Sequence, residues 1–142
     1  MDKVFIDTDV VIDLYIARQP HHDVALRLFT HLKGKKVPTY TSPVVIANVH
    51  YILSKTEGAK FAVDRIRKLR RLLKVAPLTE SAVDAAAASP GKDFEDSLQL
   101  HCALENGIAT LITRNTRDYP KDRIRVTEPL QYLSASTLVN RS

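Results

Sequence analysis

A parallel α/β sheet flanked by helices is the fold this sequence predicts. Two observations predict it. Five short β-prone runs, at 4–6, 37–41, 74–77, 109–113 and 124–126, alternate with segments of helical period. No hairpin turn signal joins any two of them, so each return must cross over through a helix.

The elements follow in order. Val4-Phe5-Ile6 is apolar and β-prone, and Asp7 interrupts it. Thr8 or Asp9 caps a helix expected to start at Val10, with Val10, Val11, Leu14 and Tyr15 recurring at helical spacing. Arg18-Gln19-Pro20 breaks the pattern. A second helix covers 21–32, with Val24, Leu28 and Leu32 on one face, and Gly34-Lys35-Lys36 turns the chain into the strand at 37–41. Ser42-Pro43 reads as an N-cap with proline in the first helical position. That helix runs through Ser54, with Val45, Val49 and Ile52 inward. A basic amphipathic helix is expected over 58–73, a strand over 74–77, and a helix capped by Thr79 through the alanines at 85–88. After the loop 89–92, Asp93 opens a helix ending near Asn106-Gly107, where glycine is a stop. A buried-type strand at 109–113, a loop at 114–122 and a strand at 124–126 complete the sheet. Thr127-Glu128-Pro129 starts a short helix ending near Leu133, and 134–142 is expected to be a polar, frayed tail.

Composition bounds the function. The chain has 142 residues, 44% hydrophobic and 26% charged, the size and balance of one globular domain over 1–142 with a core at about 3–133. No apolar run approaches the ~20 residues of a membrane span, and the start, MDKVFIDTD, is too short in apolar residues for a secretory signal. The one cysteine, Cys102, has no internal partner, so a cytoplasmic location is expected. No CxxC or HExxH zinc pattern is present. A net charge of +5 favours polyanions modestly. Lys33, Lys35 and Lys36 make one basic group, and Arg65, Arg67, Lys68, Arg70, Arg71 and Lys74 another on what reads as a solvated helix face. Arg114, Arg117, Lys121, Arg123 and Arg125 make a third, beside acids.

Three acidic places stand out. Asp7 follows the first strand. Asp93-Phe94-Glu95-Asp96 opens a helix, with Asp93 and Asp96 three apart on one face. Thr113-Arg114-Asn115-Thr116-Arg117-Asp118 ends an apolar strand. Each has a plain structural explanation: Asp7 through Asp9 as a helix start, Asp93 and Asp96 as a capping pair, Asp118 as a turn residue. In a parallel sheet, however, all three converge on one edge, where such folds place their sites. Clustered carboxylates repel, and a hard divalent cation removes that cost. Mg²⁺ or Mn²⁺ there, with cations to grip a backbone, fits hydrolysis of nucleic acid.

FIDTDVVIDL, DFEDSLQLHCA and LITRNTRDY, in that order over about 3–133, resemble a PIN domain, and among these the small VapC-like toxins. The resemblance implies a three-layer fold with four to five short parallel strands between helices. It implies a Mg²⁺- or Mn²⁺-dependent ribonuclease, the toxin of a type II toxin–antitoxin pair, with an RNA substrate, a cognate antitoxin and a homodimer. It implies Asp7, Asp96 and Asp118 as metal-binding and catalytic residues, Asp93 as an additional acid, and Thr113 and Asn115 as supports of the site or of a phosphate. Arg114 and Arg117, beside Asn115 and Asp118, are further substrate candidates, and Asp9 is a cap or supporting acid. One departure matters. Many PIN nucleases carry a glutamate in the helix after the second strand, and here Asn48 stands there without a charge. That keeps a second expectation open, a non-catalytic or weakly active PIN module binding RNA or a protein partner. Asp7-Thr8-Asp9-Val10-Val11 also fits the opening of haloacid-dehalogenase phosphatases, but the later acids precede Thr113, the wrong order for that fold.

Overall fold

The computed structural model describes residues 1–141, with side chains described through 136. Five parallel strands form one sheet in the order β3-β2-β1-β4-β5. The strands are β1 (Val4–Ile6), β2 (Thr39–Thr41), β3 (Lys74–Val75), β4 (Thr110–Ile112) and β5 (Arg125–Thr127). The helices are α1 (Thr8–Tyr15), α2 (His21–Gly34), α3 (Pro43–Glu57), α4 (Ala59–Leu69), α5 (Glu80–Ala88), α6 (Phe94–Glu105) and α7 (Pro129–Arg141). A 3₁₀ turn spans Thr116–Asp118.

The central strands β1 and β4 are buried along their whole length. Strands covered on both faces need apolar side chains on both, which is why VFI and LI carry no polar alternation. Val4, Phe5, Ile6, Val10, Val11, Leu111 and Ile112 are almost wholly inaccessible and form the middle of the core. The chain builds outward from β1 to β2 and β3, then returns through α5 and α6 to place β4 on the other side of β1. The order therefore switches direction between β1 and β4, and ligand sites of open parallel sheets form outside the carboxyl ends at such a switch. Ile6 pairs with Ile112, so Asp7 and Thr113 leave the sheet side by side.

Several boundaries differ from the sequence reading. The first helix begins at Thr8 rather than Val10, because Asp7 itself is the N-cap and its carboxylate accepts the Thr8 N–H at 2.7 Å. The strand at 37–41 shortens to Thr39–Thr41, and β5 shifts one residue, to Arg125–Thr127. The helix expected to end at Ser54 runs to Glu57 and stops at Gly58, whose φ of 90° is open to glycine and strained for other residues. The basic helix ends at Leu69, and a turn follows that brings Leu73 into the core.

Most of the expected polar tail is helical. It extends α7 to Arg141, while Ser142 lies outside the described residues. This helix packs on α2, where Ser136 Oγ meets His31 Nε2 at 2.8 Å and Tyr132 lies edge-on to the same ring. Among the described residues no helix is long and apolar enough to cross a membrane.

Candidate active site

Asp7 is the origin of the site. It is 7% exposed, at the carboxyl end of β1 and the start of α1. One carboxylate oxygen caps α1 through Thr8. The other accepts the Thr113 hydroxyl at 2.9 Å and the Tyr119 hydroxyl at 3.0 Å. Burial pushes its pKa up, the nearby Asp118 charge pushes the same way, and the three hydrogen bonds oppose them.

Asp96 comes from α6. Asp93 is the N-cap of that helix and accepts the Asp96 N–H at 3.1 Å, so the capping function of Asp93 aims the first turn at the sheet edge. The Tyr119 hydroxyl also lies 3.2 Å from Asp96 Oδ1. Burial first, then the charges of Asp7, Asp93 and Asp118, push the Asp96 carboxyl up to about 7.

Tyr119 thus stands between two carboxylates with a single proton to donate. It is 4% exposed, and its burial beside two acids holds the phenol far above its ordinary value. Sequence reading missed it, leaving Tyr119 as one residue of the loop at 114–122. The available signal was its place next to Asp118 in a polar cluster after a strand.

Around this pair the site divides into two openings that share Asp96. The first, about 490 Å³, is lined by Asp7, Asp9, Glu95 and Asp96 together with Asn48, Asn115, Tyr51 and others. The second, about 420 Å³, is lined by Asp93, Asp96, Arg117, Asp118 and Tyr119, with Lys92 and Arg123. Asp118 is exposed on the 3₁₀ turn and belongs to the second opening, not to the wall that Asp7 lines. Its charge nevertheless reaches both Asp7 and Asp96.

The other sequence candidates take distinct places. Thr113 is fully buried and holds Asp7, and its oxygen accepts the Asn115 N–H at 3.0 Å. Asp9 accepts the backbone N–H of Arg114 at 2.9 Å and so clamps the strand-to-loop exit of β4 onto α1. Burial, then the Asp7 charge, pushes Asp9 up to about 6. The Arg114 guanidinium makes a two-pronged ion pair with Asp13, at 2.7 and 3.3 Å. Asp13 is 4% exposed, so this arginine answers a buried charge before it can answer a substrate. Arg117 is exposed and unpaired among the described residues, at the rim of the second opening.

Asn48 donates its side-chain amide to the Glu95 carboxylate across the α3–α6 interface. Glu95 is a second residue the sequence reading passed over, as the middle acid of DFED. It brings a carboxylate to the very wall where α3 offers only an amide. Beneath, Ser42 caps α3 and bonds Gln99, which is 1% exposed, while Thr41 Oγ1 donates to Ile6 O at 2.8 Å. These buried polar bonds fix α3 and α6 against the carboxyl end of the sheet.

The donors facing the first opening are carboxylate and amide oxygens, the hard set that Mg²⁺ or Mn²⁺ prefers. Among the described residues no three acidic, imidazole or thiol side chains close on a single point. Two carboxylates sharing one hydroxyl partner do, and Mg²⁺ is commonly held by one or two carboxylates with several waters. The residues present fit such an ion.

A parallel sheet of this order with buried acids at the β1–β4 switch is the arrangement of a PIN domain. The PIN domain family profile matches residues 3–117, and the chain belongs to that family. A relative, the ribonuclease VapC1 of Aquifex aeolicus (strain VF5), is 28% identical over 126 residues, covering 85% of this chain and 87% of its own. Two solved structures share the fold. DNA-bound VapBC from Salmonella typhimurium matches with a TM-score of 0.70 at 17% identity, over 91% of this chain and 99% of the other. A toxin–antitoxin complex from Klebsiella pneumoniae matches with a TM-score of 0.66 at 22% identity, over 89% and 97%.

Proposed function

We propose that this chain is a metal-dependent endoribonuclease that hydrolyses RNA phosphodiester bonds, and that it is the toxin of a type II toxin–antitoxin pair. The observation that carries the reading is the Asp7–Tyr119–Asp96 bridge, which sets two carboxylates against one opening at the switch point of the sheet. The relative's activity as a ribonuclease and the neighbours' assembly with antitoxins support it.

Asp7 and Asp96 would hold Mg²⁺ or Mn²⁺, with Asp118 contributing its charge from the second opening. Such an ion, when bound, activates water and neutralises charge on the phosphodiester under attack. The chain supplies the rest. Thr8 and Thr113 fix both oxygens of Asp7, so the carboxylate is oriented before substrate arrives. Asp9 holds the 113–114 backbone in place, which presents the exposed Asn115 amide to a phosphate oxygen. Arg117 and Arg123 offer cations to neighbouring phosphates at the second opening. Asn48 holds Glu95, restoring a carboxylate to the α3 side of the site. An antitoxin would act by covering these openings, and a homodimer would pair two such sites.

The test is a cleavage assay on mixed single-stranded and structured RNAs with Mg²⁺, Mn²⁺ or EDTA, run without any partner. Cleavage that needs metal and disappears in Asp7→Asn and Asp96→Asn is expected. Binding of RNA with no metal-dependent cleavage on any substrate would favour a non-catalytic PIN module instead.

A further inference from the structure

We propose that Tyr51 and Lys55 form a subsite for one nucleobase of single-stranded RNA and its phosphate, at the mouth of the opening that Asp7 and Asp96 line. The inference rests on the ribonuclease reading and names the residues that would seat one base of that substrate. Asn48, Tyr51, Ile52 and Lys55 recur at helical spacing and share one face of α3. Asn48 is tied to Glu95 in the site, and Tyr51 and Ile52 line the same opening. Lys55 comes one turn further out.

Tyr51 is 59% exposed, whereas every other tyrosine is buried or half-buried. A large ring left in water beside a carboxylate pocket calls for a flat, apolar ligand. The Lys55 ammonium lies 4.7 Å from the ring centroid and places a positive charge beyond Tyr51, outside an opening whose wall carries Asp7, Asp9, Glu95 and Asp96 as well as the Asp13-paired Arg114. A flat ring joined to an anion is a nucleotide. In an A-form duplex the bases are stacked inside and their faces are closed, so a ring on a helix surface can take only a splayed base. Base–aromatic stacking of this kind tolerates any base, which makes Tyr51 a reader of strandedness rather than of sequence.

The experiment measures binding by fluorescence anisotropy in the Asp96→Asn background with Mg²⁺. The probes are a labelled mixed-sequence RNA octamer and the same octamer with abasic sites. Tyr51→Ala is expected to weaken binding of the base-bearing strand about tenfold. The abasic strand should be unaffected, and Tyr51→Phe should retain affinity. Lys55→Ala is expected to lower the salt dependence by about one phosphate contact. In the otherwise unmodified chain, Tyr51→Ala should raise KM for single-stranded RNA with kcat retained.

Equal affinity of Tyr51→Ala and its parent for the base-bearing strand overturns the proposal. Equal loss on both strands overturns it too, as does a change of oligomeric state with RNA affinity intact, which would assign Tyr51 to a second copy of the chain. Failure of the unmodified protein to bind or cleave any RNA overturns the ribonuclease reading and this proposal together. Metal-dependent cleavage with no effect at Tyr51 overturns this proposal alone.

Discussion

Asp7 has two functions that one substitution can separate. As an N-cap it accepts a backbone N–H, and asparagine does that equally well. As a buried acid it carries a charge that burial and Asp118 disfavour. Asp7→Asn is therefore expected to abolish cleavage while leaving the melting temperature at about pH 8 unchanged or higher, because the neutral amide removes the cost of the charge. Asp7→Ala should lose the cap and the nearer acceptor of both the Thr113 and Tyr119 hydroxyls, costing about 2 kcal/mol in urea unfolding. Arg114 tests the opposite kind of claim. Arg114→Ala strands the buried Asp13 carboxylate and is expected to destabilise by about 2 kcal/mol, less than a fully buried pair because the arginine side chain is 28% exposed. Were its main role to bind substrate, RNA affinity would fall and the unfolding curve would stay in place. The sequence displayed these acids plainly but could not say which arginine was already paired. That depends on Asp13, 101 residues away, facing the exit of β4. Tyr119 was hidden for the same reason, since the acids its hydroxyl meets lie 112 and 23 residues off.

At the scale of elements, the alternation of strands and helices was legible because local signals suffice for it: Ser42-Pro43, Thr79 and Asp93 cap the helices they were expected to cap. Ends set by tertiary contact were not. The polar 134–141 stretch carries little helical signal of its own and continues α7, a helix that packs on α2. The α3–α6 interface matters most for chemistry. It places Asn48 against Glu95, two residues that sequence spacing alone never brings together. If Glu95 supplies the charge that Asn48 lacks, the two can be exchanged. Glu95→Gln is expected to weaken Mn²⁺ binding in calorimetry by about tenfold, and Asn48→Glu/Glu95→Gln to recover most of it. Loss in the single variant with no recovery in the double would instead place the requirement on α6 alone.

For the whole molecule, the acids at the switch point couple stability to pH and, on the proposed reading, to metal. Asp9 is pushed up to about 6 and Asp96 to about 7 from an ordinary 3.8, and Asp7 moves the same way. Over that window the folded chain keeps protons that the unfolded chain has released, so stability falls as pH rises, and the full cost stands above about pH 7. A metal-free sample is expected to melt higher at about pH 5.5 than at about pH 8, with Mn²⁺ raising the melting point more at the higher pH. Asp7→Asn/Asp96→Asn should flatten both trends in differential scanning fluorimetry. The topology has another consequence, for the moment of synthesis. β4 enters the sheet beside β1 across more than 100 residues of chain, and Tyr119 closes the bridge only after that. A nascent chain that has not yet released Tyr119 therefore has no assembled site, and protein truncated before Tyr119 would lack the brace. The site is complete only once everything from Asp7 through Tyr119 has been made, and until then an inhibitor already present meets no finished nuclease.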